Sequence, residues 1–98
     1  MKMADIILTK DQSDIMAFFS EELPGIRKKF KVSQTMLGKK VGLSRQTISS
    51  IERKTVPMTW NTFLSLILFF YANDTDGDKF EHREKYAQYL NDMLLIEE

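Results

Sequence analysis

An all-α fold of about five helices is expected, and three features of the sequence lead to it. Apolar residues recur at helical spacing through most of the chain. Capping residues stand directly ahead of those runs, at Thr9, Ser33, Ser44 and Thr59. No stretch alternates with period two for long enough to make a useful strand. The 98 residues suffice for one core of modest size.

The first helix opens on Thr9-Lys10-Asp11-Gln12, a capping box in which threonine and glutamine satisfy each other's free amides. Behind it Ile15, Phe19, Leu23, Ile26 and Phe30 share one face. Pro24-Gly25 interrupts them, and an interior proline costs about 3 kcal/mol. A break or kink near Leu23 is therefore expected, followed by a short helix to about Phe30. The next helix covers residues 33–41, with Met36, Leu37 and Val41 on one side and Gly42 as its stop. Ser44 caps another short helix, from Arg45 to about Arg53, with Ile48 and Ile51 as its buried pair.

Residues 55–58 form a loop, and Thr59 caps a helix carrying Trp60, Phe63, Leu66, Ile67 and Phe70. The apolar run 63–72 is about half the ~20 residues of a bilayer span, so it reads as a buried helix and not a membrane anchor. It is apolar almost all round and must be covered on most sides. A chain of this size can hardly do that alone, which points to a subunit interface. Residues 73–78 make a polar connection to a last helix with Tyr86, Tyr89, Leu90, Met93 and Leu94 in line. The expected organisation is an N-terminal helical extension (1–22), a central unit (23–71), and an acidic linker with a C-terminal helix (72–98).

The net charge is zero, but the charges are segregated. In residues 1–23, Lys2 and Lys10 face Asp5, Asp11, Asp14, Glu21 and Glu22, a net of −3. Residues 24–60 hold Arg27, Lys28, Lys29, Lys31, Lys39, Lys40, Arg45, Arg53 and Lys54 against Glu52, a net of +8. The remainder is at −5. A basic centre between acidic flanks is a candidate phosphate-facing surface. There is no cysteine, hence no disulfide or thiolate metal site, which agrees with a reducing cytoplasm. The N-terminal apolar run is too short for a signal peptide.

Catalytic chemistry finds little support. Asp74-Thr75-Asp76-Gly77-Asp78 resembles the start of a calcium loop, but the sixth and twelfth places hold Lys79 and Lys85 where glycine and glutamate are needed. His82 is the only histidine. No carboxylate pair with a histidine, glycine-rich phosphate loop or metal set appears, so neither enzyme activity nor a cofactor is expected.

The constellation that carries function is the pair of short helices at 33–41 and 44–53. A tight turn containing glycine sets such helices at a steep angle, and the second can then stand clear of the domain. A helix fits the major groove, where each base pair shows a distinct donor and acceptor pattern. The outer side of the second helix holds Arg45, Gln46, Ser49 and Ser50, with Arg53 at its end. Arginine forks onto guanine, glutamine onto adenine, and small hydroxyls permit close approach.

Residues 32–54 resemble the Cro/phage-repressor type of helix-turn-helix, also called the xenobiotic-response-element family of regulators. The signals are Ser33-Gln34, Leu37, Val41-Gly42, Ser44, Ile48 and Ile51-Glu52, with Pro57, Thr59, Thr62 and Phe63 downstream, and the likeness extends from about Leu23 to Phe70. It implies a lambda-repressor-like DNA-binding fold with an extra C-terminal helix. It implies base contacts from Arg45, Gln46, Ser49 and Ser50, and phosphate contacts from Gln34, Ser44, Lys39, Lys40, Arg53 and Lys54. It further implies that Arg27 and Glu52 form a structural ion pair. Two residues depart from the pattern. Gly38 stands where alanine is usual, at some cost in helix stability. Lys54 replaces a glycine, which adds a cation but puts a left-handed turn there in doubt.

The expected function is a cytoplasmic, sequence-specific regulator, repressor-like, that binds double-stranded DNA with a two-fold-symmetric operator as a homodimer. An antitoxin role with a toxin partner is an alternative within that function. The rival from another class is a protein-interaction adaptor on the same scaffold. Its mark would be acidic or bulky apolar side chains on the second helix, and this one has neither.

Overall fold

The computed structural model describes residues 10–96. They form five helices, α1 (Lys10–Lys29), α2 (Gln34–Val41), α3 (Arg45–Glu52), α4 (Trp60–Asn73) and α5 (Arg83–Leu94), and no strand occurs among the described residues. Thr9 lies outside them. Gln12 is buried in α1 and directs its amide toward the Met93 sulfur, 3.9 Å away.

The expected break at Leu23 does not occur, since α1 is one helix of 20 residues with Pro24 inside it. The reason is packing. Phe19, Leu23 and Ile26 stand on one face on both sides of the proline and are 0%, 0% and 4% exposed. Burying each such side chain contributes about 1.5–3 kcal/mol, which together outweighs the lost ladder bond at Pro24. A break would turn Ile26 away from the face it shares with Phe19.

The three expected caps downstream are formed. Ser33 Oγ accepts from the Met36 N–H at 3.0 Å, Ser44 Oγ from the Thr47 N–H at 3.0 Å, and Thr59 Oγ1 from the Thr62 N–H at 3.1 Å. Each satisfies an amide that the first helical turn leaves unpaired.

Phe19 of α1, Phe63 of α4 and Tyr86 of α5 meet at the centre, with ring centroids 5.5 to 6.3 Å apart. Leu37 of α2, Ile48 of α3, and Leu66, Ile67 and Phe70 of α4 belong to the same core, so all five helices contribute to it. The apolar excess of α4 is thus largely covered within the chain, contrary to the expectation that a subunit would be needed. Phe63, Leu66, Ile67 and Phe70 are buried, Leu64, Phe69 and Tyr71 are half-covered, and only Leu68 on this helix remains a large exposed apolar side chain. Two further aromatic side chains do part of this work: Phe30, from the expected face of the first helix, packs on Phe70 at 5.1 Å, and Phe80, which the sequence reading left out, packs on Phe70 at 5.7 Å.

Phe80 is brought in by Asp74. The connection between α4 and α5, expected to be merely polar, is built around this buried carboxylate. It accepts from the N–H groups of Lys79 at 2.9 Å and Phe80 at 3.2 Å, and from Arg83 Nη1 at 2.9 Å. Gly77 makes the turn with φ at 77°. Burial alone would push the Asp74 carboxyl up, but the two amides and the Arg83 guanidinium outweigh it and hold the carboxyl below its ordinary range.

A lowered folded pKa gives stability that is fully present above the unfolded carboxylate value and is lost as pH falls through the folded one. Asp74→Asn is therefore expected to melt below the native protein at pH 7 and to converge with it in acid, as the pH falls through the lowered Asp74 value. Thermal melts across pH 2–7 check this. A gap of constant size down to pH 2 would show that the charge on Asp74 contributes nothing.

Candidate nucleic-acid interface

The turn between α2 and α3 sets the geometry of the site. Gly42 takes a left-handed backbone, φ 78°, and the Gly42 and Leu43 N–H groups both reach the Gly38 carbonyl, the second at 2.8 Å. The chain then reaches Ser44 in extended conformation, and α3 starts at once. Ile48 and Ile51 anchor α3 in the core at 0% and 2% exposure. Since the buried pair lies toward the end of an eight-residue helix, its first turn is left facing outward.

Arg45 and Gln46 occupy that turn and are exposed, while Ser49 and Ser50 on the next turn are only half-exposed. Ser44 is exposed and holds both the Thr47 N–H and, at 2.9 Å, the Thr47 hydroxyl. Lys39 and Lys40 are exposed in the last turn of α2, and Arg53 and Lys54 are exposed just beyond α3. The outward face therefore presents hydrogen-bonding side chains in the middle and cations at both sides.

The far end of α3 is tied down by a polar cluster. Arg27 from α1 donates Nε and Nη2 to the two oxygens of Glu52, at 2.8 and 3.1 Å. Its Nη1 also reaches the Val32 carbonyl at 3.3 Å. Gln34, at the start of α2, donates its amide to Glu52 at 3.0 Å. The Arg27 and Glu52 side chains are 15% and 7% exposed. The hydrogen bond to Glu52 raises the Arg27 pKa, burial opposes it, and the carboxylate charge adds to the rise. So three helices are joined at one carboxylate, and Arg27 is engaged there and not on the outer surface. Gln34 is half-buried with its amide nitrogen on the same carboxylate.

Lys54 behaves differently from the expectation in one respect. It does adopt the left-handed backbone, φ 59°, although it is not glycine. Its ammonium pairs with Glu21 of α1, and both side chains are largely exposed. Glu21 escaped the sequence reading because the contact spans 33 residues and no local pattern marks it. The isolated His82 is in contact with Glu22, 3.1 Å away, and stands edge-on to Phe18. Among the described residues no cluster of His, Cys, Asp and Glu could hold a metal ion.

A model of the helix-turn-helix family matches residues 26–58, which takes in the end of α1, all of α2 and α3, and the loop to Met58. The match supports a helix-turn-helix of the Cro/repressor type over residues 26–58. The family is one of DNA-binding transcription regulators. Within the matched stretch α2 and α3 are the paired helices, and α3 holds the place that the motif gives to a recognition helix. The matched stretch is shorter than the likeness read from the sequence, which ran from about Leu23 to Phe70. No curated protein and no solved structure gave a match. No helix among the described residues is long and apolar enough to cross a membrane.

Proposed function

We propose that the protein is a sequence-specific, repressor-like regulator that binds a two-fold-symmetric operator as a homodimer, with residues 23–71 as its DNA-binding part. The observation that carries this reading is the first turn of α3. It sets Arg45 and Gln46 in the open beyond the Ser44 cap, while Ile48 and Ile51 lock the rest of the helix in the core. In helix-turn-helix docking that end contacts base edges. Arg45 then forks onto a guanine and Gln46 onto an adenine, with Ser49 and Ser50 closer to the helix flank and shorter in reach. Lys39, Lys40, Arg53 and the Ser44 hydroxyl position the helix on phosphates. Lys54 joins them by exchanging Glu21 for a phosphate. Leu68, at 69% exposure, and Leu94, Leu95 and Ile96, at 64%, 68% and 91%, are the most exposed large apolar groups among the described residues and the ones a second copy would cover.

Selection from a random duplex pool, followed by titration in salt, tests this. The selected sites should be two-fold symmetric, and affinity should fall steeply with salt through counterion release. Gln46→Ala is expected to relax preference at one base position per half-site, by about fivefold to a hundredfold, and to leave non-specific affinity nearly intact. Lys40→Gln should do the reverse, weakening all sequences alike and flattening the salt slope. An unchanged consensus from both Arg45→Ala and Gln46→Ala would mean that α3 does not read bases.

A further inference from the structure

Val56 is 44% exposed, although it is an apolar residue on the surface proposed to meet DNA. Three features of the backbone put it there. The left-handed Lys54 turns the chain back at the end of α3. The Thr55 N–H and hydroxyl then both bond to the Ser50 carbonyl, at 3.0 and 3.2 Å. Pro57 restricts the residue before it to extended backbone. Together these bring Val56 back alongside α3, where it lines a hollow of about 250 Å³ with Ser44, Gln46, Thr47 and Ser50. A larger hollow against α1, lined by Ser13, Met16, Ala17 and Ser20, also touches Val56 but does not bury it.

The chemistry of the smaller hollow is uneven. Three of its walls end in hydroxyls and one in an amide, and Thr47 has its hydroxyl engaged by Ser44. Val56 has the wholly apolar side chain among them, and that side chain can neither donate nor accept a hydrogen bond. Among the base edges in the major groove only thymine carries an apolar group, its C5-methyl. A cytosine there would leave the valine facing a gap.

We propose that Val56 reads the C5-methyl of a thymine in the major groove beside the base contacted by Gln46, so that the loop after α3 adds a specificity determinant outside the recognition helix. This rests on the reading of the protein as a sequence-specific DNA binder.

The experiment uses the full chain and its selected operator, with each thymine replaced in turn by deoxyuridine, which removes the methyl and leaves base pairing intact. Burial of one methyl predicts that the protein binds about fourfold more weakly at one position per half-site. Val56→Ala should bind the thymine and uracil operators equally, and the uracil operator as tightly as the native protein does, which also controls for folding. If native protein selects sequences but discriminates at no thymine, or if Val56→Ala keeps the discrimination, the inference is overturned and the reading stands. Failure to select any duplex overturns the reading itself, and the inference with it.

Discussion

Arg27→Ala should lower the stability of the protein by about 3 kcal/mol, the low end of the loss from removing one partner of a buried pair, because this pair is partly buried. For a domain of this size that corresponds to a fall of roughly 12 to 24 °C in melting temperature. The cause is the carboxylate left behind. Glu52 is 7% exposed on its side chain, and without Arg27 it retains only the Gln34 amide at 3.0 Å. Removing both partners should cost less than the sum of the single losses, because Arg27→Ala with Glu52→Ala leaves no unmatched charge. The contrast is the Lys54–Glu21 pair, whose side chains are 51% and 69% exposed. Exposed pairs contribute about 0–1 kcal/mol, so Lys54→Ala should hardly move the melt. Calorimetry on the four variants decides. If Arg27→Ala melts like the native protein and yet loses DNA affinity, Arg27 serves phosphate and the cluster does not brace α3.

What was legible in the sequence, and what was not, follows the range of each interaction. The caps at Ser33, Ser44 and Thr59 bond to an amide three residues on, so a local pattern suffices to place them. The buried faces of α3 and α4 were legible for the same reason, since helical periodicity repeats within a few turns. Pro24 was misjudged because local backbone chemistry argues for a break, whereas the helix is held together by Phe19, Leu23 and Ile26 packing against other helices. Asp74 and Phe80 were missed because a run of Asp and Gly reads as solvated loop. Only the fold brings the Lys79 and Phe80 amides and Arg83 onto one carboxylate.

The outer surface divides in the same way. Arg45 and Gln46 could be placed from the position of a cap, because the first turn beyond it needs no partner. The contact of Arg27 with Glu52 spans 25 residues and was expected only from the family likeness. Val56 had no marker at all. A valine between a threonine and a proline reads as loop, and its return to α3 depends on a left-handed lysine that propensity argues against.

Gly38→Ala is expected to destabilise the protein, against the sign that helix propensity alone would give. Alanine is better than glycine inside a helix by about 1 kcal/mol. Here a Cβ at Gly38 would lie 2.4 Å from the Leu43 carbonyl oxygen, with the Leu43 and Ser44 carbonyl carbons at 3.3 and 3.4 Å. All three are backbone atoms, so no side chain can swing aside. The turn cannot open freely either, because the Leu43 N–H is bonded to the Gly38 carbonyl at 2.8 Å and Gly42 is fixed in its left-handed cap. Moving Leu43 moves Ser44, and with it the start of α3. Overpacking of this kind costs about 1–3 kcal/mol, which equals or exceeds the propensity gain. Gly38→Val adds two more carbons at the same contact and should pass the upper end of that range, a large share of the stability of a small domain. Gly25 supplies the control: its added carbon would meet nothing within 4 Å, so Gly25→Ala should gain stability where Gly38→Ala loses it. Denaturant midpoints compare the three variants, and DNA affinity of Gly38→Ala measured well below its midpoint separates tilt of α3 from unfolding. A raised midpoint for Gly38→Ala would mean that the α2–α3 turn yields without cost, and that glycine is not what sets α3 at its angle.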